Sequence, residues 1–386
     1  MTIPEISTVC FVGAGTMGCY NSLIAALAGY SATVYDRNED VLQQVPDRHA
    51  EWASILMGAG YCTEEDVRNA GARVTVTSDM ARAVANADLV SESIFEQAQA
   101  KREMHKQLDI ACAAHTILTS NSSNILISQI EGAVNRGDRF AALHSYLGSP
   151  LFDIVGGADT SPAIIETLVR YVESLGCVPL VQHKEYPGYV LNAMIAPVLG
   201  SALGMLIDDG LTPQQIDRAW MLSRNASIGP CGMMDMFGLN VIYDSWQRVK
   251  SDARRQRLQP AVLALLKPLI DAGKLGAKTG QGFYRYPNAD YQGEGFLQDQ
   301  PQVDFACEAL TAVLITSALL LAHHEIASRA DIDMAWTVGA HLEKGPFEIL
   351  AKLSNENYLE LLQQAVQGGR INEDDALIAR QNLNLN

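Results

Sequence analysis

The apolar positions of this 386-residue chain change rhythm partway along it. Over the first 185 residues, short apolar runs alternate with stretches of helical spacing. The runs at 8–12 (TVCFV), 32–35 (ATVY), 73–77 (RVTVT), 88–90, 116–119 (TILT) and 140–143 read as strands, and 17–28 as a helix. Strands alternating with helices predict βαβ units and a mostly parallel sheet, with ligands gathered at the carboxyl ends of its strands. Residues 39–70 hold no strand-like run and read as a helical insertion between the second and third strands. Beyond Pro187-Gly188, a turn-forming pair that marks a boundary, the pattern becomes long apolar helices; residues 288–302, polar with Gly and Pro, read as a linker.

The helical part echoes itself. Ser201-Ala202-Leu203 recurs as Ser317-Ala318-Leu319, Ile216-Asp217 with Ala219-Trp220 as Ile332-Asp333 with Ala335-Trp336, and Gly229-Pro230 as Gly345-Pro346, all at one offset of 116 residues. Three matches in one register predict a duplication, a pair of copies rather than an array. The expected organisation is therefore three pieces: an α/β domain at 1–186, a helical domain at 187–287, and a second, degenerate helical copy at 303–386.

Composition narrows the function. A 48% hydrophobic and 19% charged balance is that of a globular chain, not a disordered one. The net charge of −16 repels a phosphate backbone, so nucleic acid is not an expected partner. No apolar run approaches the roughly 20 residues needed to cross a bilayer, so no membrane association is expected. The start, MTIPEIST, lacks a basic n-region and leads straight into a strand, unlike a signal peptide. Seven scattered cysteines without a CxxC pair suit reduced thiols and argue against a disulfide framework or a metal site. Together these lead us to expect a cytoplasmic protein.

The first strand runs into Gly13-Ala14-Gly15-Thr16-Met17-Gly18, a GxGxxG loop that opens a helix. The first glycine permits the turn, the second lets backbone approach a pyrophosphate, and the third lets helix and strand pack. The helix N-terminus at Thr16 and Met17 then offers free N–H groups and a positive dipole end to phosphate. Asp36 closes the second strand, where an acid binds adenosine ribose hydroxyls and repels a 2′-phosphate; NAD is the expected cofactor, with Arg37 softening the choice.

Four further segments carry a resemblance. Glu92-Ser93-Ile94-Phe95-Glu96 with Lys101, then Ser120-Asn121-Ser122-Ser123, Pro187-Gly188-Tyr189-Val190-Leu191-Asn192, and the string from Lys274 to Tyr286 (KLGAKTGQGFYRY) together resemble the L-3-hydroxyacyl-CoA dehydrogenases over essentially the whole chain. The resemblance implies a Rossmann-like, doubly wound sheet followed by an all-α domain, here in two tandem copies. It implies NAD-dependent oxidation of a 3-hydroxyacyl substrate (an enzyme of class EC 1.1.1.-), with His144 as the base. A neutral imidazole, with an ordinary pKa of about 6.5, suits removal of a hydroxyl proton as hydride leaves carbon. In the same frame Ser123 and Asn192 hydrogen-bond the substrate oxygen, while Ser93, Glu96, Lys101 and Asn121 line the nicotinamide ribose.

The chain also departs from the pattern. Where the family has a glutamate to orient the histidine, Leu151-Phe152-Asp153-Ile154-Val155 offers Asp153, one methylene shorter. The segment from His144 to Asp153 is about three residues shorter, and H-F-x-N-P is here His144-Ser145-Tyr146-Leu147-Gly148. The serine and lysine that bind the coenzyme A nucleotide are replaced by Trp52 and Ala59. Lys101 is the first lysine in the chain, and the insertion pairs Arg48 and Arg68 with seven acids: Glu39, Asp40, Asp47, Glu51, Glu64, Glu65 and Asp66. A small, carrier-free 3-hydroxy compound of the carnitine or sugar-acid type is therefore the alternative substrate, and a cofactor-binding structural protein a third reading. The second helical copy, with Glu308 at the place of Asn192, is expected to carry no site of its own. It can supply internally the surface through which short relatives dimerise, so a monomer or homodimer is expected.

Overall fold

The computed structural model describes residues 2–248, 253–298 and 304–383. The chain divides into two compact units, Met1–Tyr189 and Val190–Asn386. The linker predicted at 288–302 lies within the second of them, and its last residues, 299–302, fall outside the described set.

In the first unit the elements run β1 (Thr8–Val12), α1 (Thr16–Leu27), β2 (Ser31–Tyr35), α2 (Glu39–Gln43), α3 (Val45–Gly58), α4 (Glu64–Gly71), β3 (Val74–Thr77), α5 (Met80–Val84), β4 (Leu89–Glu92), α6 (Ala98–Ala111), β5 (Ile117–Ser120), β6 (Phe140–Ser145), β7 (Leu151–Gly156), α7 (Pro162–Ser174) and β8 (Val178–Gln182). They build one eight-stranded sheet in the order β3-β2-β1-β4-β5-β6-β7-β8. All neighbouring pairs are parallel except β6 and β7, which are antiparallel. The chain order reverses beside β1, between β2 and β4, the place where doubly wound sheets hold ligands.

Strand periodicity explains the two-sided core. Val9 and Phe11, Leu89, Ile117, Ala141 and Leu143 pack on one face, with Leu23 and Ala26 of α1 and Leu168 and Val172 of α7. Cys10 and Val12, Val90, Leu118, Phe140 and Ala142 point to the other, against Val84 of α5 and Leu108 of α6. A strand buried on both faces reads as a continuous apolar run, which is why β1, β4 and β5 are legible in the sequence. Two strands escape that reading. β7 carries Asp153 at its centre, and β8 contains Pro179, tolerated because β8 is the edge of the sheet.

The second unit contains α8 (Tyr189–Asp208, its first residue belonging to unit 1), α9 (Pro213–Arg224), α10 (Pro230–Phe237), α11 (Leu239–Gln247), α12 (Ala253–Asp271), α13 (Asp304–His323), α14 (Arg329–Gly339), α15 (Pro346–Lys352), α16 (Asn355–Gln367) and α17 (Glu373–Asn382). α8 and α13 correct one expectation: each is 20 residues long and contains an 18-residue stretch with a mean hydropathy of 2.0, enough by length and composition to cross a bilayer. Isolated polar residues such as Asn192 and Ser317 interrupt the runs, but the apolar residues around them keep the average high. Core helices meet the same criterion, and 61% and 72% of the two stretches are buried inside the protein. The described part of the predicted linker is also no free tether: Tyr291 and Phe296 are buried, and the Phe296 carbonyl accepts from Arg218 Nε at 2.6 Å.

The contacts of α9 and α10 recur in α14 and α15. Asp217 accepts from the Cys231 and Gly232 amides at 2.7 and 2.8 Å; Asp333 accepts from Phe347 and Glu348 at 2.8 and 3.1 Å. A carboxylate thus caps each helix N-terminus. Every residue in the second set lies 116 positions after its counterpart, and Trp220 meets Trp336 edge to face at 6.2 Å. The string from Lys274 to Tyr286 folds over α10: Phe283 and Tyr284 amides donate to Asp235, and the Tyr284 hydroxyl donates to Asp217. Burial pushes Asp217 up to about 7 against those hydrogen bonds.

Candidate active site

The glycine loop ends β1 and starts α1. Gly13 has φ +102°, and a Cβ there would lie 2.7 Å from the Ser93 carbonyl; one at Gly18 would lie 1.8 Å from the Gly13 carbonyl. These two positions exclude side chains for conformational and packing reasons. Gly15 differs: a Cβ there meets nothing within 4 Å, so the loop backbone is open on that side. Beside Thr16 and Met17, which begin α1, this leaves an uncovered helix N-terminus of the kind that receives a pyrophosphate. Asp36, after β2, accepts from the Ala14 amide at 3.0 Å and the Asn38 amide at 2.9 Å, while Arg37 is exposed. Arg48 of α3 donates to the Ala14 carbonyl at 2.6 Å, a tie across the loop that the sequence does not announce.

At the end of β4 a buried polar cluster forms. Glu92 is fully buried and accepts from Lys101 Nζ at 2.7 Å, the Ser120 hydroxyl at 2.8 Å and the Ile94 amide at 2.7 Å, with His105 Nε2 at 3.2 Å. Burial alone would raise its pKa, but the His105 hydrogen bond and the Lys101 charge prevail and hold it at about 2. Lys101 is itself only 1% exposed, with its ammonium also 3.6 Å from Glu96. It lies inside the protein as the counter-ion of two glutamates. Glu96 in turn gathers the segment after β5, accepting from the Ser122 hydroxyl at 2.6 Å and from the Ser123 and Asn124 amides at 3.1 and 2.8 Å. Asn121 joins three strand ends: Nδ2 donates to Ser93 Oγ, and Oδ1 accepts from the Ser145 amide at 2.8 Å.

That last bond ties the Ser123 segment to the end of β6, where His144 sits. Antiparallel register places His144 directly opposite Asp153, and both side chains fall on the face that carries Ala142 and Val155. The His144 Nδ1 to Asp153 Oδ2 distance is 2.9 Å, with His144 5% exposed and Asp153 fully buried. Asp153 is a strand-centre acid, not a solvated strand-end one. Two other donors hold it: the Tyr146 hydroxyl to Oδ2 at 2.6 Å and Gln182 Nε2 to Oδ1 at 2.7 Å. Tyr146 also packs edge to face on the imidazole at 4.5 Å, and Tyr189 lies against it at 4.9 Å with a 31° tilt. Tyr189 takes φ +54° after Gly188 at +84°, a turn that costs a non-glycine residue about 1–2 kcal/mol. Burial, and after it the charge of Asp153, pushes the Tyr189 hydroxyl far up, so it stays neutral.

An ionised carboxylate only accepts, so the proton shared with Asp153 sits on Nδ1 and Nε2 is left as the basic nitrogen. Ser123, His144 and Asp153 belong to the first unit; Asn192, half-buried on α8, belongs to the second. Tyr146 and Gln182 are neighbours of Asp153 that sequence reasoning missed. The departure at 144–148 was the signal for Tyr146. Gln182 had none, because it lies on the unread edge strand. Among the described residues, no group of three His, Cys, Asp or Glu side chains is placed to hold a metal.

Residues 8–186 match "3-hydroxyacyl-CoA dehydrogenase, NAD binding domain", and residues 188–286 match the C-terminal domain of the same family. The human mitochondrial hydroxyacyl-coenzyme A dehydrogenase is 31% identical over 292 residues, covering 73% of this chain and 91% of that protein. The chain belongs to the 3-hydroxyacyl-CoA dehydrogenase family. Its cofactor is NAD, which the open side of Gly15 and the carboxylate of Asp36 fit. A solved structure described by substrate-directed dual catalysis of dicarbonyl compounds by diketoreductase is 32% identical, with a TM-score of 0.67, over 74% of this chain and all of that one. A 3-hydroxybutyryl-CoA dehydrogenase from Escherichia coli shares the fold along 98% of both chains, at 21% identity and a TM-score of 0.79. It therefore spans both helical blocks, whereas the other two extend over about three quarters of the chain.

Proposed function

We propose that this protein oxidises the 3-hydroxyl of a 3-hydroxyacyl thioester of coenzyme A to the ketone, with His144 as the base. The observation that carries the reading is the held imidazole. Asp153 fixes the Nδ1 tautomer, and Asn121 links the His144 strand to the Ser123 segment. Bound NAD supplies the hydride acceptor. His144 Nε2 takes the hydroxyl proton as the C–H bond breaks, and Asp153 stabilises the imidazolium that results. Ser123 donates to the substrate oxygen, favouring developing alkoxide and then ketone, a role that the family resemblance also gives to Asn192. Ser93, Glu96 and Asn121 line the nicotinamide ribose, with Lys101 positioning Glu96 from behind. The ketone, reduced NAD and one proton leave. On this reading residues 187–287 and 303–386 are two copies of one helical domain, the second without a site, supported by the repeated aspartate caps.

A second reading, a carrier-free 3-hydroxy substrate, is favoured by the surface of α2 to α4. Arg48 is already committed to the Ala14 carbonyl and to Gln44, while Glu39, Asp40, Asp47, Glu51, Glu64, Glu65 and Asp66 are exposed. A polyanionic nucleotide gains little there. The similarity to a diketoreductase of dicarbonyl compounds points the same way.

The test is turnover of NAD with a panel of 3-hydroxyacyl-CoA thioesters, carnitine and small 3-hydroxy acids, read as absorbance of the reduced cofactor. Turnover limited to thioesters excludes the carrier-free reading, and turnover limited to free compounds excludes the first. His144→Gln is expected to lower turnover at least about a hundredfold, within the range general bases supply, and to leave NAD affinity unchanged. Intact turnover refutes the base.

A further inference from the structure

The orienting acid in this chain is a methylene shorter than a glutamate, yet it is surrounded by donors. Asp153 Oδ2 accepts from both His144 Nδ1 and the Tyr146 hydroxyl, and Oδ1 accepts from Gln182 Nε2. None of these groups comes from the same element. His144 is on β6, Tyr146 begins the turn after it, Asp153 is central in β7, and Gln182 ends β8. All are in the first unit. The ring of Tyr189 also lies against the imidazole, at 4.9 Å. Among the described residues, the titratable groups in contact with His144 are Asp153, Tyr146 and the neutral Tyr189, with Glu96 and Glu185 acting electrostatically on Tyr189.

Two donors on one carboxylate oxygen divide its charge. The Tyr146 dipole points its positive end at the oxygen that an imidazolium at position 144 would use. Tyr146 thus stabilises the carboxylate whether or not His144 is protonated, and leaves less of that charge for the imidazolium.

We propose that Tyr146, assisted by Gln182, is a positioning residue that sets the basicity of the His144 ring by sharing Asp153 with it. The proposal rests on His144 being the catalytic base in one respect only, its effect on turnover; the effect on the ring itself does not depend on catalysis. Tyr146→Phe keeps the edge-to-face packing and removes the hydroxyl. The undivided carboxylate then favours imidazolium, and the His144 pKa rises.

The direct measurement is the titration of the His144 ring by NMR in the full chain labelled with 13C-histidine, assigned by the signal missing in His144→Gln. Tyr146→Phe is expected to raise the His144 pKa by about half a unit to one unit, a fraction of one hydrogen bond to a charged group, because Tyr146 bonds the carboxylate in both states of the ring. Oxidation needs the neutral ring, so the acid limb of kcat/KM moves to higher pH by the same amount, while the plateau at high pH falls less than about threefold. Gln182→Met, which removes the second donor, moves both readouts in the same direction and serves as the companion variant if Tyr146→Phe does not fold. A ring titration that stays in place or moves down in the folded variants overturns the proposal. So does a titration that rises while the acid limb stays, in an enzyme that His144→Gln silences. Full turnover by His144→Gln would instead remove the base from the proposed reaction, and the NMR titration would still decide whether Tyr146 governs the ring.

Discussion

Replacing Asp153 by asparagine tests whether charge or geometry is the larger part of its role. The structure separates the two. Asp153 is an acceptor for three donors, and asparagine at that place keeps one acceptor oxygen and gains an NH2. If the oxygen stays toward His144 and Tyr146, the NH2 faces Gln182, and the clash is relieved by turning the Gln182 amide over. That turn is available because Gln182 Oε1 is buried without a hydrogen-bond partner. The Nδ1 tautomer then survives, and only the charge is lost. A unit pair about 4 Å apart is worth about 4 kcal/mol at an effective dielectric of about 20, and the asparagine dipole retains part of it. A loss of about 2–4 kcal/mol of imidazolium stabilisation corresponds to a fall in oxidation kcat of roughly thirtyfold to a thousandfold. Adding Gln182→Met removes the compensating amide, so the asparagine NH2 is orphaned or turns onto Nδ1 and fixes the wrong tautomer. The double variant is expected to lose about ten- to a hundredfold more than the product of the single losses, a strong coupling between touching residues. Steady-state kinetics at the high-pH plateau measures all three. A fall of less than about fivefold for Asp153→Asn, or independent effects in the double variant, refutes the reasoning.

Lys101→Met leaves Glu92 buried without its ammonium and is expected to cost about 3–5 kcal/mol in urea denaturation; a cost below 1 kcal/mol would mean that the cluster has relaxed. Because Glu92 is depressed from 4.5 to about 2 in the folded protein, its stabilisation is complete above pH 4.5 and is lost as pH falls toward 2. Glu92→Gln should accordingly flatten the acid side of the stability profile, and an unchanged profile counts against that assignment. Gly18→Ala places a methyl 1.8 Å from the Gly13 carbonyl, so NAD binding by calorimetry should fall at least tenfold, and unaltered affinity means that α1 can shift. Asp36→Ala should narrow the kcat/KM preference for NAD over NADP; an unchanged ratio places the ribose contact elsewhere.

Legibility followed burial. The central strands were readable because a sheet covered on both faces demands uninterrupted apolar runs, and the glycine loop because Gly13 and Gly18 have no room for a Cβ. What stayed hidden were elements whose defining residue is polar. β7 is organised around a buried aspartate and β8 carries a proline, so neither shows strand periodicity. The polar stretch after Tyr286 read as a linker because its anchors, Tyr291 and Phe296, are isolated aromatics whose burial is decided by α9 and not by their neighbours. Lys101 and Glu92 were visible as motif members but not as a buried pair. A sequence gives the types of charged residues, whereas their pairing arises only when α6 lies over β4.

The antiparallel turn between β6 and β7 is the point where fold and chemistry become one problem. Side chains in a strand alternate between faces, so a slip of one residue in this pair would send Asp153 to the face of Phe152 and Ile154, away from the imidazole. Register must therefore be fixed more firmly here than hydrophobic packing alone achieves, since β7 is apolar on both faces and tolerates a slip in its burial. The polar contacts supply the missing specificity. Tyr146 begins the short turn and bonds forward to Asp153, and Gln182 holds the same carboxylate from β8, so only one register satisfies all three donors. A buried unpaired carboxylate costs several kcal/mol, far more than a slipped apolar pair. The same hydrogen bonds that orient His144 therefore select the strand pairing that brings it there, and a shorter acid on a shorter loop is consistent with both demands.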